Sequence, residues 1–380
     1  MGQLLKVAMV RTTLHKGSGQ VEHISEISKR LRHQGTIIKI FAREVMEDLS
    51  PIETEKVTFA CSSLPFLRHF GFMAKCGMIT REFDIIHTQY HPAIFTGNFV
   101  RALRDIPHIF TFHGYAPMRS WYNPTQRLKM LDHRIGTIMA LHTGVDRIIS
   151  ISNYIKDILL NFYKVKNEKI SVIHNGVDVN RFQPNLNASI LKEKYDLENS
   201  LNVLYLGRMD PYKGIHFLLK ALPLILEELP RVKIIIGGAT RFDGIKFKDL
   251  MLSKKIRKSI IFTGYLSKEE IPLLYASCDV FCYPSMWEGF GLTPAEAQAS
   301  GKPVVAFNHC AIPEIVKNNE TGILVNPGDH HKMAEATIQL LKDTDLRYSM
   351  GKEGRKRVEK LFTWDSCAEK TLELYKLVTE

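Results

Sequence analysis

The chain reads as an α/β protein built from two doubly wound domains. Short apolar runs alternate with amphipathic helical stretches along its whole length, and they do so in two successive series. The strand-like runs are almost continuously apolar, as in parallel sheets covered by helices on both faces. At 380 residues with 45% hydrophobic content, the chain can bury two sizeable cores.

In the first series, Lys6–Val10 reads as a strand. A loop with Gly17–Ser18–Gly19 follows, then a helix that places Val21, Ile24, Ile27 and Leu31 on one face. Further strands are expected at Ile37–Phe41, Phe83–His87, His108–Phe112, Arg147–Ile151 and Lys169–His174. The segment Asn175–Pro184 opens with an Asn-Gly turn signal and ends in proline, so the domains are divided there, as 1–180 and 181–361. The second series has strands at Asn202–Gly207, Val232–Gly237, Ser259–Gly264, Asp279–Pro284, Pro303–Phe307 and Gly322–Val325. Residues 362–380 close the chain with Leu372, Leu374, Tyr375 and Val378 at helical spacing, a helix expected to pack back onto the first domain.

No run of eighteen apolar residues exists, so no transmembrane helix is expected. The start, Met1–Val10, lacks a basic leader and a long apolar core, which argues against secretion. Six cysteines show neither C-x-x-C nor a pairing rhythm, as in a reduced protein, and a cytoplasmic location is expected. The net charge is +11, and residues 1–180 hold 23 Lys and Arg against 15 Asp and Glu. No nucleic-acid-binding signature accompanies this excess. An anionic membrane surface, at the inner face of the cytoplasmic membrane, or a phosphate-bearing acceptor fits it better. Lys29, Arg30, Arg32, Arg101 and Arg104 are the cations expected to make that contact, the first three beside the glycine loop.

The most informative segment is Ser285–Glu296, SMWEGFGLTPAE. It follows an apolar strand and leads into a helix with Thr293 as N-cap, Pro294 as first helical residue and Glu296 closing a capping box. Gly289 and Gly291 leave the main chain bare on either side of Phe290, and the helix start supplies free N–H groups and a positive dipole end. Glu288 and Glu296 bracket that anion site with carboxylates suited to hydroxyl groups. A second anion site follows strand Asn202–Leu206, where Arg208 and Lys213 project from a loop and offer two cations to a diphosphate. Gly237–Gly238 ends the next strand, where a base or ribose can lie against main chain.

In the first domain, His87, His91 and His113 stand near the ends of neighbouring strands and are expected to face a cleft. They lack zinc-ligand spacing. No phosphate-binding P-loop, nucleophile elbow or kinase signature appears, and Glu22 stands where a nicotinamide fingerprint needs its third glycine. Asp343 and Asp345 match a D-x-D pattern but read as helix caps, so no metal site is expected.

Taken together, Gly207–Arg208 through Lys213–Gly214, Pro284–Ser285 through Glu296, Gly301–Val305 and Thr321–Gly322 resemble the retaining glycosyltransferases of family four. The resemblance covers most of the chain and is densest over residues 203–330. It implies the GT-B fold, two Rossmann-like domains facing a cleft, with the acceptor on the N-terminal domain and a UDP- or GDP-linked sugar on the C-terminal one. It also implies a hexosyl transfer, without metal or other cofactor, to a lipid, glycan or small-molecule hydroxyl. Arg208 and Lys213 would hold the diphosphate and Glu296 the ribose, while the backbone of Gly289, Phe290, Gly291, Leu292 and Thr293 would hold sugar and phosphates. Glu288 and His113 would flank the donor sugar, and the loop of Gly17 and Gly19 would face the diphosphate. Two alternatives share the fold: a sugar-nucleotide epimerase, and a non-catalytic subunit of a glycan assembly complex.

Overall fold

The computed structural model describes residues 4–15, 18–46, 49, 51–57, 65–118, 123–238 and 254–380. It divides into two compact units. The first comprises Met1–Tyr115, Arg127–Gly176 and Trp364–Glu380, and the second Ala116–Gln126 and Val177–Thr363. The main division falls at Gly176–Val177, inside the expected turn segment.

The first unit is wound on a parallel sheet of seven strands: β1 (Lys6–Leu14), β2 (Ile37–Val45), β3 (Thr54–Lys56), β4 (Ile85–Gln89), β5 (His108–Phe112), β6 (Arg147–Ser150) and β7 (Ile170–Val172). Their spatial order is β3-β2-β1-β4-β5-β6-β7. Helices α1 (Gly19–His33), α2 (Pro65–Ile79), α3 (Ala93–Arg104), α4 (Pro124–Thr143) and α5 (Asn153–Asn161) form the crossovers. On α1 the expected apolar face, Val21, Ile24, Ile27 and Leu31, is buried. The terminal helix Trp364–Thr379 packs in this unit, where it buries Trp364, Cys367, Leu374 and Tyr375. Among the described strands, only β3 lacks a counterpart in the sequence reading. It has three residues at the sheet edge, and none of them is apolar enough to form a pattern.

The second unit has helices α6 (Ser189–Lys194), α7 (Ile215–Glu228), α8 (Lys254–Lys258), α9 (Glu270–Ser277), α10 (Leu292–Ala299), α11 (Ile312–Ile315), α12 (His330–Lys342) and α13 (Thr344–Leu361). They cover a six-stranded parallel sheet of β8 (Leu201–Leu206), β9 (Val232–Gly237), β10 (Ile260–Gly264), β11 (Val280–Tyr283), β12 (Val304–Phe307) and β13 (Gly322–Val325). The order β10-β9-β8-β11-β12-β13 reverses direction between β8 and β11. Open α/β sheets bind ligands at such a reversal, outside the carboxyl ends of the strands. In the first unit the corresponding reversal lies between β1 and β4.

Candidate active site

The loops that leave β8 and β11 meet at the reversal of the second sheet. Their joint is a main-chain contact: Met286 N–H donates to the Tyr212 carbonyl at 2.7 Å. Gly214 makes that approach possible. Its φ is +69°, and a Cβ there would lie 1.9 Å from the carbonyl oxygen of Pro284. Lys213 is thereby brought onto Glu288. The ammonium donates to Glu288 Oε1 and, at 3.1 Å, to the Tyr283 hydroxyl, which itself donates to the same carboxylate oxygen. Ser285 Oγ reaches Glu288 Oε1 at 3.4 Å. The Lys213 and Glu288 side chains are only 12% and 11% exposed, so this is a buried, hydrogen-bonded ion pair. Burial also holds the Tyr283 phenol well above its ordinary range, so it remains a donor.

Arg208 lies further out. It pairs with Asp210 at 3.1 Å and donates to the Tyr212 hydroxyl, while its own carbonyl is held by Tyr205 OH at 2.9 Å. Glu296 Oε2 accepts from Tyr275 OH at 2.8 Å. Helix α10 begins at Leu292 with Gly291 as its N-cap, two residues earlier than expected; Thr293 is inside the helix. The reason is backbone freedom: Gly291 adopts φ +112°, which ends the loop sharply without a side-chain cap. Phe290 is buried with its ring edge-on to Phe362 at 5.7 Å, so the loop is anchored in the core. Gly237 ends β9, and the space a Cβ would fill is taken by Leu206 and Leu274.

At the reversal of the first sheet, polar groups are buried together. His113 Nε2 donates to Gln89 Oε1 at 3.0 Å, and its ring is 5.1 Å from that of His23. His23 Nδ1 donates to Asn175 Oδ1 at 2.9 Å. Burial among neighbouring cations pushes the His113 imidazole well below its ordinary value and His23 down to about 4, so both are neutral at physiological pH. Arg11 is also buried. Nε donates to the Thr13 carbonyl at 2.8 Å and Nη2 to Gln20 Oε1 at 2.6 Å, while Nη1 has no hydrogen-bond partner among the described residues. Desolvation lowers this guanidinium to about 10.

The family models account for most of the chain. Glycosyltransferase Family 4 matches residues 17–181, and Glycosyl transferases group 1 matches residues 188–357. The chain is a group 1 glycosyltransferase. A D-inositol 3-phosphate glycosyltransferase of Corynebacterium efficiens is 27% identical over 94% of this chain and 83% of its own. A glycosyltransferase of Rickettsia africae superposes with a TM-score of 0.80 at 25% identity, over all of both chains. The Anabaena protein HepE, solved with UDP and glucose, gives 0.80 at 21% identity over 98% of this chain and 99% of its own. The fold is therefore GT-B.

Within this glycosyltransferase, the structure joins Lys213 to Glu288, whereas the sequence left them on separate loops. Tyr283, Tyr212 and Asp210 were missed as parts of the site. A tyrosine closing an otherwise apolar strand, just before Pro284–Ser285, was the available signal for Tyr283. His87 does not face a cleft: it is fully buried between Tyr375 OH at 2.6 Å and Thr111 Oγ1 at 2.7 Å. The imidazole lies within β4, where its polar atoms are satisfied by the terminal helix and β5. Gly17 lies outside the described residues, and Gly19 is the first residue of α1. Asp343 caps α13 by accepting from Leu346 N–H at 2.8 Å, while Asp345 sits in the first turn of that helix.

The cations expected to meet a membrane are engaged inside the first unit. Lys29 and Arg30 pair with Glu26, Arg30 also with Asp365, and Arg101 with Asp146. Arg32 and Arg104 donate to the carbonyls of Pro51 and Gly77. Nor are Lys29 to Arg32 beside the glycine loop. At about 1.5 Å per residue, Arg30 lies roughly 16 Å along α1 from its start.

Proposed function

We propose that the protein transfers a hexosyl unit, with retention of anomeric configuration and without a metal, from a UDP- or GDP-sugar to an acceptor hydroxyl. The observation that carries this reading is the meeting of Lys213 and Glu288 where the β8 and β11 loops converge at the sheet reversal. A cation and a carboxylate locked side by side suit a ligand that is a diphosphate at one end and a polyol at the other. UDP is the first nucleotide to test, since HepE was solved with it.

In this mechanism the acceptor oxygen bonds to the anomeric carbon from the face that the diphosphate leaves. The acceptor proton passes to the departing phosphate oxygen as the glycosidic bond breaks. Arg208, Lys213 and the start of α10 would stabilise charge growing on the diphosphate, preorganised and partly shielded from water. Neutral His113, whose Nε2–H is given to Gln89, would orient a sugar hydroxyl by accepting at Nδ1. An epimerase would use the nucleotide sugar alone and release no product joined to an acceptor.

Nucleotide-induced stabilisation tests the donor site first: UDP or GDP should raise Tm, and Arg208→Ala and Lys213→Ala should each abolish the shift. Transfer assays follow, with anomeric configuration read by proton NMR and EDTA present. Each alanine variant is expected to lose about 2–4 kcal/mol of transition-state stabilisation. Near-normal rates in both variants, inversion, or loss of activity in EDTA would refute the respective element of the reading.

A further inference from the structure

Arg11 is a charge that the first unit buries without neutralising. The residue is 6% exposed, and the Thr13 carbonyl and Gln20 Oε1 take Nε and Nη2, so Nη1 is the donor left over. Two further polar atoms of the same crevice are in that condition. Val10 pairs with Thr88 in the parallel register of β1 and β4, which sets Arg11 and Gln89 side by side on one face of the sheet. Gln89 Oε1 accepts from His113, and its Nε2 is a donor with no partner among the described residues. His23 gives Nδ1–H to Asn175, so its Nε2, likewise unpartnered, is an acceptor.

Buried polar atoms without partners are costly, and two donors and an acceptor gathered round one positive charge share a chemistry. Water can satisfy the hydrogen bonds but not the charge. The backbone is strained at the same place. Tyr90, which follows Gln89 and is half-buried, has φ +67°, and its ring centre lies 5.9 Å from the Arg11 guanidinium carbon. So bulky a residue in the left-handed region is an outlier of the kind that gathers at ligand sites. We propose that this crevice holds the acceptor by an acidic group, a carboxylate or a phosphate. One of its oxygens accepts from Arg11 Nη1 and Gln89 Nε2, and a neighbouring hydroxyl donates to His23 Nε2. Giving this group to the acceptor rests on the proposed transfer, in which the donor's diphosphate has Arg208 and Lys213; the anion site itself does not.

Inorganic phosphate and glucuronate are the probes, with glucose as the neutral control. They are titrated calorimetrically into the full chain at constant ionic strength, with saturating UDP to fill the donor site. One or both anions should bind, and glucose about tenfold more weakly or not at all; whichever anion binds tighter identifies the acidic group. Arg11→Met should weaken anion binding about tenfold or more, and Arg11→Lys less. Gln89→Glu supplies a carboxylate from the chain itself, so Tm without ligand should rise and anion binding should be lost. That variant keeps the test decisive even if Arg11→Met folds poorly. In transfer to an acidic acceptor, Arg11→Met should raise KM with little change in kcat, as loss of uniform binding does. No anion binding by the wild type, equal binding by folded Arg11→Met, or unaltered binding by Gln89→Glu would overturn the proposal. So would loss of the UDP-induced Tm shift in Arg11→Met, which would assign the guanidinium to the donor. An absent UDP shift in the wild type, with Arg11-dependent phosphate binding intact, would count against the transferase reading alone.

Discussion

Lys213 carries its counter-charge with it, in Glu288, and this sets what substitutions at the pair should do. Glu288→Gln leaves a buried ammonium beside a neutral amide, so the lysine's full charge is offered to a diphosphate. UDP affinity is expected to rise about tenfold, or about 1.4 kcal/mol, while turnover falls. A covalent role for Glu288 would instead abolish turnover with no gain in UDP affinity, and calorimetric titration with UDP separates the two. Arg11 poses the opposite case, a buried guanidinium that forms no ion pair among the described residues. Burying a charge without a partner is costly, and an apolar side chain of similar length removes the cost. Arg11→Met is therefore expected to stabilise the first unit by about 1–2 kcal/mol, visible as a higher Tm. A lower Tm would mean that its bonds to Thr13 and Gln20 outweigh desolvation.

Most strands of both sheets were legible because they are buried on two faces and so have an uninterrupted apolar signature, and the helices because each carries an apolar face at helical spacing. The chemistry of the loops was legible as residue types but not as pairs. Nothing in the spacing of Lys213 and Glu288 says they touch; that follows from β8 and β11 being neighbours, which is a property of topology. The start of α10 was misplaced for a related reason. A Thr-x-x-Glu pattern marks a cap only if the backbone before it is extended, and Gly291 turns the chain two residues sooner. Gly214 is where the two loops depend on a single atom. Gly214→Ala would drive a methyl into the Pro284 carbonyl and impose φ +69° on an alanine, which the loop can relieve only by withdrawing Lys213 from Glu288. The expected outcome is loss of the UDP-induced Tm shift with little change in far-ultraviolet circular dichroism. An unaltered shift would show that the Lys213–Glu288 contact does not depend on this glycine.

Over the whole molecule, acid sensitivity is unevenly distributed. His23 and His108 are pushed down to about 4 and His91 to about 3, each chiefly by burial, with His87 and His113 also well below 6.5. All five belong to the first unit. Between about pH 6.5 and 4, the unfolded chain binds protons that the folded imidazoles refuse, so stability is retained above that window and lost as pH falls through it. Each fully shifted histidine contributes up to about 1.4 kcal/mol per pH unit. Calorimetry from pH 7 to 4.5 should therefore show the first unit melting progressively earlier than the second; a single transition insensitive to pH would contradict this. The terminal helix has a further consequence, for the order of synthesis. Tyr375 is the hydroxyl that satisfies buried His87, yet the entire second unit is translated between them. At about 5–20 residues per second, the 288 residues that separate them take on the order of 15–60 s. Throughout it, the first-made part of the protein waits on the ribosome with His87 lacking its tyrosine partner and the seat of Trp364 and Leu374 uncovered, a surface suited to a chaperone until the last helix arrives.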